Sequence, residues 1–119
     1  MKAALLGAAL ALLISTDTTL AADISGKDLI ELCGGVEIES VDMQSETAQS
    51  CVAYVASVIV PVQKWQEKHR TCMLDIPASV EQSDWPVTVM RYLKKYPTFR
   101  SHEAGGTVLT ALATKYRCK

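Results

Sequence analysis

Four cysteines, Cys33, Cys51, Cys72 and Cys118, are the residues of this chain best equipped for chemistry, and their spacing decides which chemistry. A redox pair or a zinc site needs thiols two to four residues apart, as in C-x-x-C. Here the separations are 18, 21 and 46 residues, and the chain holds only two histidines. Metal and thiol-redox roles therefore fail on spacing, and oxidation to two structural disulfides remains. Other candidates are sparse. No G-x-S-x-G elbow, H-E-x-x-H helix or glycine-rich phosphate loop occurs. His69 follows a polar helical run and suits a helix C-terminus, where the dipole favours a cation. His102 beside Glu103 could form a catalytic pair, but a capping role at a helix start is the simpler reading. Gly105-Gly106 permits a close helix contact or a local break. Arg91, Lys94 and Lys95 make a small basic face, and Trp65 and Trp85 read as core or half-buried anchors. No catalytic residue, metal or cofactor is expected.

The pattern before the cysteines explains why they should be oxidised. Lys2 precedes an apolar run of twelve residues, 3–14, then a polar stretch and the small residues Ala21 and Ala22. That is the layout of a cleavable export signal over residues 1–22. The apolar run is too short to cross a bilayer, which takes about 20 residues. The mature part, residues 23–119, is a single domain, exported to the periplasm and free of the membrane once the signal is removed. With a formal net charge of −1 the chain lacks the basic footprint of a nucleic-acid or anionic-membrane binder. Domains this small bury a limited fraction of their surface and recruit disulfides to compensate.

The elements that must position these residues are helical. Ser25 caps a first helix over residues 26–32, which Gly34 and Gly35 end by supplying left-handed conformations. Residues 36–45 lack a period and read as an acidic loop. Ser45 caps a long second helix over 46–69, with Val52, Val55, Ala56, Ile59 and Val62 on one stripe. Its valine-rich centre favours strand by propensity, yet the residues do not alternate and the helical period continues through Glu67. Pro61 should kink this helix or split it. A third helix begins at an N-cap on Ser83, carries Trp85, Val89, Tyr92, Leu93 and Tyr96 on its apolar face, and stops before Pro97. A fourth runs from 101 to 116 with Val108, Leu109, Ala111 and Leu112 inward. The fold class is all-α, a small disulfide-stapled bundle of about four helices.

Helix length then selects the pairing. Cys51 and Cys72 bracket the second helix and would stand roughly 30 Å apart at 1.5 Å per residue, whereas a disulfide needs Cα atoms within about 7 Å, so they cannot pair unless Pro61 folds the helix back on itself. Short connections make the later helices antiparallel neighbours, which brings Cys72 to Cys118 and leaves Cys33 for Cys51.

Several segments share a further pattern: CVAYVAS from Cys51, CMLDIP from Cys72, MRYLKKYPTFR from Met90 and AGGTVLTALATKYRC from Ala104. In order and separation this set resembles the Rap/Tai family, small periplasmic immunity proteins of type VI secretion. Cys51 and Tyr54 match its first helix motif, and Cys72, Ile76 and Pro77 its C-I-P turn. Tyr92, Leu93, Pro97 and Arg100 match its Y-L-x-x-H-P-E-x-R element. Ala104, Val108, Ala111, Leu112, Tyr116 and Cys118 match its last helix. Ala53 and Ser57 stand where glycines are usual, Tyr96 and Thr98 replace the histidine and glutamate around Pro97, and Arg117 replaces a proline. The resemblance covers about residues 28–118 and implies a homodimer that binds a cognate peptidoglycan amidase effector and occludes it. By the same analogy the third helix and the following turn face the effector. Here they present Arg91, Lys94, Lys95, Tyr96, Thr98, Phe99, Arg100 and His102. Tyr96 and Phe99 would be aromatic anchors with Arg100 as an exposed charged companion, or they would simply pin the turn. A rival from another class is a general periplasmic stress protein or acid chaperone resembling the HdeA group, also small, helical and disulfide-bonded.

Overall fold

The computed structural model describes residues 24–119; the proposed signal over 1–22 lies outside the described residues. Four α-helices follow one another: α1 (Gly26–Cys33), α2 (Glu46–His69), α3 (Trp85–Lys95) and α4 (Ala104–Lys115). Two 3-10 turns, Gln82–Asp84 and Pro97–Ser101, flank α3. The fold is all-α, with no strand among the described residues beyond an isolated antiparallel bridge between Ser25 and Glu103.

Capping chemistry sets the starts of α1 and α2. The Ser25 hydroxyl accepts from the Asp28 N–H at 3.2 Å while the Asp28 carboxylate accepts from the Ser25 N–H at 3.0 Å. Two N–H groups at the helix start are thereby satisfied reciprocally. The Ser25 N–H bond foremost, with the neighbouring Ser25 hydroxyl adding to it, holds the Asp28 carboxyl below its ordinary value of 3.8. Gly34 and Gly35 end the helix at φ 92° and 104°, the left-handed region that a Cβ disfavours. Ser45 caps α2 through the Ala48 N–H.

Helix α2 runs unbroken through Pro61, so the split alternative is excluded. The reason lies in where the proline sits. Pro61 and Ser57, whose carbonyl loses its donor, are both exposed, so water can take the vacated acceptor.

Two expected helix starts need correction. Ser83 lies inside the first 3-10 turn and caps nothing; its hydroxyl meets only the Glu81 carboxylate, at 3.5 Å. The fourth helix begins at Ala104 rather than 101, because residues 97–101 wind as a 3-10 turn after the proline. His102 and Glu103 are extended, and neither makes a side-chain cap.

The core gathers Leu29 of α1, Val55 and Ile59 of α2, Val89, Met90 and Leu93 of α3, and Val108 and Leu112 of α4, all at 0% exposure. Helix α3 is its hub, touching every other element. Every residue from Trp85 to Met90 is buried, so its first half has no solvent face.

Both disulfides form as the helix lengths require. Cys33 joins Cys51 with Cα atoms 5.1 Å apart, and Cys72 joins Cys118 at 6.1 Å. The long connection after α2 is held by Gln66. Its amide oxygen accepts from the Met73 and Leu74 N–H groups at 2.9 and 3.3 Å, and its amide nitrogen donates to the Leu74 carbonyl at 2.9 Å. Leu74 is fully buried, and the Asp75 N–H donates to the Tyr116 carbonyl at 2.8 Å.

Candidate binding surface

The turn Pro97–Ser101 owes its position to a glycine. A Cβ on Gly26 would run into the Phe99 carbonyl oxygen and stand 3.0 Å from the Arg100 Cα and 3.2 Å from Leu93 Cδ2. Only hydrogen fits between α1 and the turn. The contact is sealed by two backbone bonds, Gly26 N–H to the His102 carbonyl and Ala104 N–H to the Ile24 carbonyl, each 2.9 Å. The start of α1 therefore clamps the turn from behind.

Clamped in this way, the turn presents a continuous aromatic edge. Tyr92 lies 4.8 Å from Tyr96 and 5.2 Å from Phe99, and the His102 ring is 5.0 Å from Phe99. The Phe99 ring meets Tyr92 nearly edge-on, an arrangement favoured by the ring quadrupoles. Phe99 is the half-buried centre, whereas Tyr96 is 41% exposed. The Lys95 ammonium sits 5.5 Å from the Tyr96 ring centroid, within cation–π range.

The eight residues expected to face a partner do not form one patch. Tyr96, Phe99 and His102 share the aromatic edge, with Thr98 exposed on the same turn. Lys94 turns to the 34–45 loop and pairs with Glu37 at 2.7 Å, the one ion pair among the described residues. Arg91 and Lys95 line a furrow between α3 and α4. Arg100 turns the other way, into a groove of about 520 Å³ along α1 with Lys27 and Glu31. The expectation of an exposed Arg100 is corrected: the side chain is half-buried, and its Nε is enclosed without a hydrogen-bond partner.

Sequence reasoning missed two positions here. Gly26 read only as a helix start, although a glycine one residue after an N-cap serine signals a close backbone approach. Lys115 was not connected to the basic face of α3. A signal for it exists in the charge order: residues 85–119 carry seven Lys/Arg and one acid, Glu103, whereas 24–84 carry four Lys/Arg and ten Asp/Glu.

Residues 25–118 match the family described as Rap1a immunity proteins. The chain belongs to the Rap1a immunity protein family. Comparison with curated proteins and with solved structures gave no match. Membership gives this Rap1a-family protein a role in effector immunity, in which a protein antidote binds a cognate effector. Its family-matching Tyr54 is half-buried, and burial together with the Glu103 carboxylate raises its phenol above the ordinary range. The Gly105 contact lies here: a Cβ would sit 3.8 Å from the Tyr54 hydroxyl and 3.9 Å from Val58. Those are ordinary contact distances, and the nearest atom is a Glu103 carboxylate oxygen at 3.3 Å, so α4 meets α2 at Gly105 without requiring a glycine, and no local break occurs. Among the described residues no group of three His, Cys, Asp or Glu could hold a metal, and no helix is long and apolar enough to cross a membrane.

Proposed function

We propose that this protein is exported through a leader over residues 1–22 and acts in the periplasm as a homodimer. There residues 23–119 bind a peptidoglycan amidase effector of type VI secretion and cover its active site. An effector that cuts the cell wall works in the periplasm, so its antidote must be delivered there. Inhibition of this kind needs no chemistry from the inhibitor, only a stiff surface that fits the enzyme. The observation that carries the reading is the aromatic edge of Tyr92, Tyr96, Phe99 and His102, held from behind by the Gly26 contact. A rim fixed before binding loses little conformational entropy on association, and tyrosine is enriched among residues that dominate binding energy. Thr98 would extend this anchor along the turn and Lys95 and Arg91 would flank it, while Lys94 and Arg100, which turn away from the edge, would meet the effector at its margins.

The test is inhibition by the purified mature protein of type VI amidase effectors acting on peptidoglycan. The proposal expects a stoichiometric loss of activity with one effector, with both proteins recovered intact. Intact-mass measurement of periplasmic material should give a start near Ala22 or Asp23, and retention of residues 1–21 would reject the leader. Sedimentation should give twice the monomer mass.

A further inference from the structure

We infer that the furrow between α3 and α4 receives an acidic segment of the protein partner, with Arg91, Lys95 and Lys115 as its cationic rim. The inference rests on the proposed function only in taking the partner to be a protein. Three observations carry it. Side chains from two helices meet there: Arg91 and Lys95 from α3 and Lys115 from α4 line one opening of about 180 Å³ over Tyr92 and Ala111, with no acid in its lining. None of the three cations makes an ion pair among the described residues, where Lys94–Glu37 stands alone. The surrounding sequence is also polarised, since 85–119 holds seven of the cations and only Glu103 as an acid. Glu39 and Asp84 line the adjoining hollow on the other side of Arg91 and Lys115, which gives the basic furrow a negative border. The side-chain stems line the furrow and the charges sit at its rim, with the Lys95 and Lys115 ammoniums 5.5 and 5.6 Å from the Tyr96 and Tyr116 ring centroids, so a carboxylate would be held at the mouth and a basic segment repelled from it. The border disfavours a long acidic tract running past Arg91, so the fitting ligand is a short acidic stretch. Such complementarity raises association rate and selectivity more than it raises raw affinity.

The experiment uses isotope-labelled mature protein titrated with a short oligoglutamate peptide, with oligolysine as the contrasting probe. Oligoglutamate should shift the amide signals of residues 88–95 and 111–115, weaken as salt is raised, and leave Lys27 and Arg100 unmoved. The Lys95→Gln/Lys115→Gln protein should bind it about tenfold more weakly, a loss within the range of close interfacial charge pairs. Lys64→Gln/Lys68→Gln removes the same charge from α2 and should bind within about twofold of wild type if the attraction is local rather than a net-charge effect. Equal losses in both double variants, shifts spread over the whole surface, or comparable binding of oligolysine would overturn the inference. No amidase is needed, so these results are independent of the inhibition test. Local oligoglutamate binding without any inhibited amidase would reject the amidase reading and leave the furrow standing.

Discussion

Tyr96 and Phe99 are neighbours on one turn, yet their burial assigns them different work. Tyr96 is 41% exposed whereas Phe99 is half-buried, so Tyr96 leaves the larger share of its area open to a partner while still packing on Tyr92. Tyr96→Ala should weaken effector binding by about 2 kcal/mol or more, the level that marks a dominant contact, while lowering the thermal midpoint less than Phe99→Ala does. Phe99 bridges Tyr92 and His102, so Phe99→Ala should lower the midpoint as well as affinity. Arg100→Ala joins Phe99 in this respect because its half-buried stem packs along α1, although removing the unpaired Nε offsets part of that loss. Calorimetry of the three variants beside their binding curves separates these roles. A further residue-scale consequence concerns acid. Asp28 is held below its ordinary range chiefly by the Ser25 N–H bond, so it binds fewer protons folded than unfolded. Its contribution is present above the unfolded value near 3.8 and is lost as pH falls through the lower folded value. Asp28→Asn should therefore melt lower than wild type at neutral pH and converge with it in strong acid, as thermal melts across that range would show.

Among the elements, α1 and α2 were the most legible in the sequence, because their ends are written in local chemistry. Serines before each helix and glycines after α1 fix the boundaries, and the stripe of Val52, Val55 and Ile59 fixes the buried face. The disulfides followed, since a helix of α2's length keeps Cys51 and Cys72 apart. Helix α3 was only half legible. Periodicity finds one face, but Pro86, Val87, Thr88 and Met90 are buried too because α3 packs on every other element, which no local pattern encodes. Residues 101–103, the last residue of the 3-10 turn and the two extended residues after it, read as the start of α4 for a related reason. The 3-10 winding of residues 97–101 is imposed by Pro97 and by the α1 clamp rather than by propensity. The candidate surface was legible as a stretch of chain and illegible as a shape, since the directions taken by Lys94, Arg100 and Lys115 depend on neighbours distant in sequence. Gly26 carries the element-scale prediction. Alanine in a helix is favoured over glycine by under about 1 kcal/mol, whereas forcing a methyl against backbone costs typically 1–3 kcal/mol. Gly26→Ala should thus be net destabilising and shift the amide signals of residues 97–103; a raised melting temperature would show that the turn is not clamped. Opening the disulfides tests the staple. In the chain-entropy model the 46-residue Cys72–Cys118 loop is worth about 4 kcal/mol and the 18-residue Cys33–Cys51 loop about 3 kcal/mol. The Cys72→Ala/Cys118→Ala protein should accordingly melt below the Cys33→Ala/Cys51→Ala protein.

At the scale of the whole molecule, the stapled helices support the proposed binding edge. Each disulfide ties off a connection, Gln66 holds the longest of them, and the start of α1 braces the turn that carries the aromatics. This arrangement suits an antidote that acts by fit, and the excess of cations in residues 85–119 gives the same edge an electrostatic preference. The most direct measurement is a titration of peptidoglycan hydrolysis by a cognate type VI amidase against the mature protein, with Tyr96→Ala in parallel. Activity should fall linearly to zero at stoichiometric inhibitor, and the Tyr96→Ala protein should leave residual activity at that point while remaining fully folded at the assay temperature. Undiminished hydrolysis with every type VI amidase offered, or inhibition that Tyr96→Ala reproduces in full, would contradict the account.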